Sequence, residues 1–172
     1  LEEGEFLPFA AAWPQVRDGY LAWLQKHEAL GAVFERAESE HEMQLGPVKL
    51  VGRIDRIDRM PDGSVMVMDY KTEAEAKTGE RVKTPGEDTQ LPFYAALLDV
   101  GDLRAAYVNV GERGKTKEFE QKAIIEARQL LAEGILDDLG RVAGGALMPA
   151  LGEGIACEFC AARGLCRRDW WV

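Results

Sequence analysis

Residues 50–72 read LVGRIDRIDRMPDGSVMVMDYKT, and the fold turns on this stretch. Side chains alternate across a β-strand with period two, so Val65, Val67, Asp69 and Lys71 share one face, with Met66, Met68 and Tyr70 on the other. The segment from Val48 to Ile57 is also strand-like, and Pro61-Asp62-Gly63 supplies turn chemistry that folds it back antiparallel. That pairing brings Asp55 towards Asp69. Two acids and a lysine thus gather at the end of an apolar strand.

Such a group suits Mg2+ or Mn2+, because hard cations take oxygen ligands and Mg2+ keeps several waters, leaving room for a substrate phosphate. A metal there stabilises charge on the phosphate, while Lys71 positions an attacking water or neutralises developing charge. The same residues also fit a surface hairpin with solvated ion pairs, since short motifs arise by chance.

The wider arrangement is more specific. GRIDRID (52–58), a turn, an apolar strand ending in DYKT (69–72) and a helix carrying QLPFYAALL (90–98) together resemble the RecB-like branch of the PD-(D/E)XK nuclease superfamily. The resemblance implies an α/β fold with a restriction-endonuclease-like core, a central mixed β-sheet flanked by helices. It implies that Asp55, Asp69 and Lys71 form the metal-binding catalytic core, that the backbone carbonyl of Tyr70 assists, and that Gln90 and Tyr94 on the following helix support the site. Gln90 and Tyr94 lie four apart, on one helical face, so both can reach one point. Members often carry a further metal ligand, a histidine in a GxxxH context upstream. The only histidines here, His27 and His41, lack that context; the family's histidine is expected on a segment outside this chain. His27 follows Leu24 by three on an apolar stripe and reads as packed and hydrogen-bonded, His41 as a surface residue.

The chain of 172 residues is long enough for one domain with a proper core. It reads as a single domain, a fragment of a larger protein since no initiator methionine is present, with a cysteine-containing tail over about residues 150–172. It has no run of about 18 apolar residues and no basic-then-apolar leader, so no membrane span is expected and a cytoplasmic location is. The net charge of −9 counts against tight autonomous binding of nucleic acid. Basic residues need line only one groove, and Arg53, Arg56, Arg59, Lys77, Arg81 and Lys83 are concentrated around the proposed site, with Arg163, Arg167 and Arg168 closing the chain.

Ahead of the hairpin, residues 10–30 read as an amphipathic helix whose Trp13, Val16, Tyr20 and Leu24 form a core stripe, ended by Gly31. The acid-rich VFERAESEHEMQL (33–45) follows, where the alternating Glu38, Glu40 and Glu42 fit a solvated charged edge. Beyond the hairpin, the polar segment from Glu73 to Asp88 reads as a loop, either functional or disordered. A helix enters at Asp88 or Thr89 and tolerates Pro92 near its start. LRAAYVNV (103–110) reads as a strand with a partner at 117–119, and residues 121–142 as a long amphipathic helix.

Cys157, Cys160 and Cys166 form C-x2-C-x5-C near the C-terminus. Three cysteines cannot all pair as disulfides, which favours metal or cluster ligation over core thiols, with an unligated tail as the plain alternative. In AddB-type relatives of the RecB-like branch, cysteines at this spacing join a fourth, far upstream, to hold a [4Fe-4S] cluster. The resemblance therefore implies a cluster in the full-length protein and none in this chain alone, with zinc and an outside ligand next.

The reading that results is a Mg2+- or Mn2+-dependent DNA nuclease, an exonuclease acting on a single or unwound strand. By resemblance it works beside a helicase subunit or domain in double-strand break repair and recombination. The competing reading is a non-catalytic DNA-binding or scaffolding module with a degenerate site, which the acidic charge and the missing histidine favour.

Overall fold

The computed structural model describes residues 3–83, 86–111, 113–147, 157 and 160–166, with backbone alone for 3–8, 163 and 164. The chain divides into two compact units, residues 1–136 and 137–172. The expected cysteine-containing tail falls in the second.

The first unit is built on a five-stranded sheet in the order β1-β2-β3-β4-β5. β1 (Val33–Leu45), β2 (Val48–Arg59) and β3 (Val65–Lys71) form an antiparallel meander. β4 (Leu103–Val110) then lies parallel to β3, and β5 (Thr116–Glu120) returns antiparallel to β4. A parallel neighbour demands a crossover, and residues 72–102 supply it through α2 (Glu75–Arg81) and α3 (Gln90–Leu98). α1 (Glu3–Ala29) precedes the sheet and α4 (Ile124–Ala143) follows it. This is the mixed sheet with flanking helices expected of a restriction-endonuclease-like α/β core.

The expected turn closes β2 on β3. Met60 N–H donates to Ser64 O and Gly63 N–H to Met60 O, both at 2.9 Å. Gly63 takes φ +86°, a left-handed geometry a side chain would oppose. Asp62 Oδ1 accepts from Ser64 N–H at 2.9 Å and from its hydroxyl at 2.6 Å, the local bonding that makes aspartate a turn residue.

The period-two pattern sorts β3 into two cores. Val65 and Val67 pack with Ile54, Ile57, Leu91, Tyr94, Leu97, Ala105, Tyr107 and Ile124, the face covered by α3 and the start of α4. Met66 and Met68 pack with Met60, Ala106, Val108 and Trp23, the face covered by α1. Met66, Val67 and Met68 are fully buried, each contributing about 1.5–3 kcal/mol of apolar burial. With both faces covered, β3 is a central strand, and its end is fixed in place.

Several expectations change. α1 begins at Glu3, well before residue 10, and Trp13 is 59% exposed, so the stripe enters the core only at its C-terminal half, through Tyr20, Trp23 and His27. His27 is buried as expected: Nε2 lies 2.8 Å from Asp58 Oδ2, and its ring stacks on Trp23. The acid-rich passage is a 13-residue edge strand with exposed charges, the usual guard against edge pairing. His41 is half-buried on it and bonds to Ser39 Oγ at 2.9 Å. The segment from Glu73 to Asp88 is no loose loop: it contains α2, whose Thr78 is fully buried and accepts from Asn109 Nδ2 at 2.8 Å.

In the second unit the described residues include a single turn, α5 (Arg163–Cys166). The expectations for Arg167, Arg168 and the side chain of Arg163 lie outside the described residues. Among the described residues no helix is long and apolar enough to cross a membrane.

Candidate active site

β2 and β3 carry the two acids to one place. The ladder runs from Arg59 opposite Val65 to Arg56 opposite Met68, and beyond it the Asp55 side chain takes over as acceptor: Tyr70 N–H donates to Asp55 Oδ2 at 3.0 Å. Asp55 is half-buried and close enough for its charge to act on Asp69.

Asp69 is 3% exposed. Its Oδ1 accepts from Gln90 Nε2 at 2.5 Å and from the Tyr94 hydroxyl at 3.2 Å. Its Oδ2 is ion-paired with Lys71 Nζ at 2.6 Å. Lys71 also donates to Gln90 Oε1 at 2.6 Å. One amide therefore ties acid and base together, and the four-residue spacing on α3 lets Tyr94 join it, 3.3 Å from Gln90 Nε2. Asp55, Asp69, Lys71, Gln90 and Tyr94 converge; the three cysteines belong to the other unit.

The electrostatics follow from burial. Desolvation pushes the Asp69 carboxyl above the ordinary aspartate range; Lys71 opposes that rise and Asp55 adds to it. Burial, together with the charges of Asp69 and Asp55, pushes the Tyr94 phenol up to about 12, so it stays a proton donor.

Sequence reasoning missed a support behind the site. The parallel register sets Tyr107 on β4 opposite Asp69, its ring centroid 5.1 Å from Lys71 Nζ. The Tyr107 hydroxyl donates to Asp88 Oδ1, just before α3. Arg81 joins Asp88 at 2.5 Å to Glu73 at 2.5 Å, and hydrogen bonding to Arg81 holds the Glu73 carboxyl down at about 2. Asn109 Nδ2 reaches Glu73 O at 2.8 Å. The crossover is thus bolted to β4. Nothing in LRAAYVNV alone marks Tyr107, whose meaning depends on a long-range parallel pairing.

The donors suit a hard cation. Two carboxylates and a backbone carbonyl are all oxygen, and the nearest described cation to the buried Asp69 Oδ2 is the Lys71 ammonium. Among the described residues no group of three or more His, Cys, Asp or Glu is arranged to hold a metal, so water and phosphate would complete the shell. Cys157 and Cys166 are half-buried and Cys160 is exposed.

A family model described as the PD-(D/E)XK nuclease superfamily matches residues 3–167. No curated protein matches. Among solved structures, the crystal structure of SSO0001 is similar at 18% identity and a TM-score of 0.47, over 96% of this chain and 71% of that one; a likeness of that degree carries no argument.

Proposed function

The chain belongs to the PD-(D/E)XK nuclease superfamily, and on that premise we propose that it is a divalent-metal-dependent DNA nuclease centred on Asp55, Asp69 and Lys71. What supports the reading is the buried Asp69, one oxygen claimed by Gln90 and Tyr94 and the other paired with Lys71, with Asp55 close by. Asp69 Oδ2, Asp55 and the Tyr70 carbonyl would hold Mg2+ or Mn2+. When bound, the cation supplies Lewis-acid stabilisation of phosphate charge and eases deprotonation of water.

The chain's own residues do the rest. Gln90 Nε2 and the Tyr94 hydroxyl occupy Oδ1 and so fix Oδ2 beside Lys71. Tyr70 N–H occupies one oxygen of Asp55 and turns the carboxylate. An ammonium has three protons to donate; with one on Gln90 Oε1, Lys71 keeps others to orient the attacking water or meet the charge on the phosphate.

The finer assignment rests on the RecB-like sequence pattern. It is exonuclease action on a single or unwound strand, beside a helicase subunit or domain, in double-strand break repair and recombination. A [4Fe-4S] cluster on Cys157, Cys160 and Cys166 would need a fourth thiolate. The presence of only two carboxylates favours a second reading, a non-catalytic DNA-binding module, which Mn2+ titration distinguishes: a scaffold shows no binding that Asp55→Ala or Asp69→Ala abolishes. The decisive experiment is Mn2+-dependent cleavage of DNA by wild type and Lys71→Ala. Loss in the variant is expected; equal activity would overturn the nuclease assignment.

A further inference from the structure

The chain is acidic, and most described cations are spent on a carboxylate. The six basic residues expected to serve the site are all ion-paired: Arg53 with Glu38, Arg56 with Asp58, Arg59 with Glu35, Lys77 and Arg81 with Glu73, and Lys83 with Glu80. They are poor candidates for holding phosphates. Among the described residues Lys26, Arg36, Arg113, Lys115 and Lys122 form no ion pair, and three of these five line two adjoining cavities.

This groove of two cavities begins beside the active strand. A cavity of about 560 Å³ is walled by Thr72 and Glu73, immediately past Lys71, and by Asn109, Arg113 and Lys115. A second, of about 340 Å³, shares Glu75 and Lys115 with it and continues to Lys26 and Trp23 on α1. The two acids facing the groove are already neutralised, Glu73 by Arg81 and Lys77 and Glu75 by Lys117 at 2.8 Å. Lys26, Arg113 and Lys115 are exposed and, among the described residues, are the unpaired charges of the groove. The walls are firm: Trp23 stacks on His27, and Gly19 of α1 presses on the backbone of Gly114, where no side chain would fit.

We propose that this groove is a track for a single strand of DNA, its phosphates on Arg113, Lys115 and Lys26, running past the end of the β-strand that carries Asp69 and Lys71. The inference rests on the nuclease reading for its direction and on the cations for its existence. A cationic groove with an aromatic side chain in its wall is how single strands are held without sequence preference, and the loop between β4 and β5 is the element that supplies two of the three charges.

The test measures binding, not cleavage. Fluorescence anisotropy with labelled oligothymidylate, without divalent metal, is followed across a salt series for wild type and for Lys26→Ala/Arg113→Ala/Lys115→Ala. Each phosphate neutralised on a single strand adds about 0.7 to the slope of log K against log salt, so removing three lowers the slope by about 2 and weakens binding about 100-fold at 0.1 M salt. Lys49→Ala, which removes a cation paired with Glu42 on β2, should leave the slope unchanged. The substituted side chains are all exposed, and circular dichroism checks that the fold persists. An unchanged affinity and slope in the triple variant would overturn the proposal, as would tighter binding of a duplex than of the single strand. Equal cleavage by wild type and Lys71→Ala would instead sink the nuclease reading and leave the groove result standing.

Discussion

Gln90 is the sharpest place to probe the site, because one side chain joins the acid to the base. Its amide donates to Asp69 Oδ1 at 2.5 Å and accepts from Lys71 Nζ at 2.6 Å. Each is a bond to a charged group, and losing one partner of such a bond costs about 1.5–3 kcal/mol. The two share the Asp69–Lys71 pair and do not add, and Gln90 is half-buried, so water replaces part of the loss. Gln90→Met keeps the bulk and removes both bonds, so it should lower unfolding free energy in urea by about 2–3 kcal/mol. The same displacement acts on the reacting groups: about 3 kcal/mol of lost positioning is roughly two decades in kcat/KM. Cleavage of a labelled strand in Mn2+, scored per folded molecule, separates the two effects. Lost stability with full cleavage would make Gln90 a structural residue only; if neither changed, the geometric argument would fail.

The other predictions concern pH and packing. Burial raises the Asp69 carboxyl, so its contribution to stability is complete below the unfolded-state value and disappears as pH rises through the folded one. A cation needs the ionised form, so Mn2+ affinity by calorimetry should climb over that same window, and a flat profile would contradict the assignment. Glu73 runs the opposite way: hydrogen bonding to Arg81 lowers it from 4.5 to about 2, so its stabilisation is present above 4.5 and fades as pH falls towards 2. Acid unfolding of Arg81→Met should lack that component. Gly19→Ala would set a Cβ 2.1 Å from Gly114 O; the gain in helix propensity of about 1 kcal/mol is outweighed by overpacking of about 3 kcal/mol or more. Thermal melting should show a lower midpoint, and an unchanged one would mean that α1 does not press on the β4–β5 turn.

What the sequence revealed was local in origin. Period-two alternation assigned Val65, Val67, Asp69 and Lys71 to one face, and the Pro-Asp-Gly turn set the register that brings Asp55 to Asp69; both need only neighbouring residues. The four-residue spacing of Gln90 and Tyr94 was legible for the same reason. What escaped depended on distant partners. Thr78 is fully buried inside a polar stretch because Asn109, far along the chain, bonds to it. Trp13 looks like core by spacing but meets nothing that covers it among the described residues. The clustering of Arg and Lys in sequence around the site misled, since Arg53 and Arg59 had carboxylates waiting on the adjoining strand and Arg56, Lys77, Arg81 and Lys83 had them nearby in sequence. The unpaired Lys26 and Arg113, by contrast, are distant in sequence and line adjoining cavities.

The seam between β3 and β4 has a consequence for how the centre comes into being. Asp55 and Asp69 lie on strands joined by a tight turn, so their meeting costs little loop entropy, whereas the parallel pairing must wait for the whole crossover to close, the slow kind of contact. Loop-closure entropy therefore predicts that the two acids face each other first, with Gln90, Tyr94 and Tyr107 arriving later to restrain them. Hydrogen-exchange labelling during refolding checks it: protection of β4 ahead of the β2–β3 hairpin would refute that order.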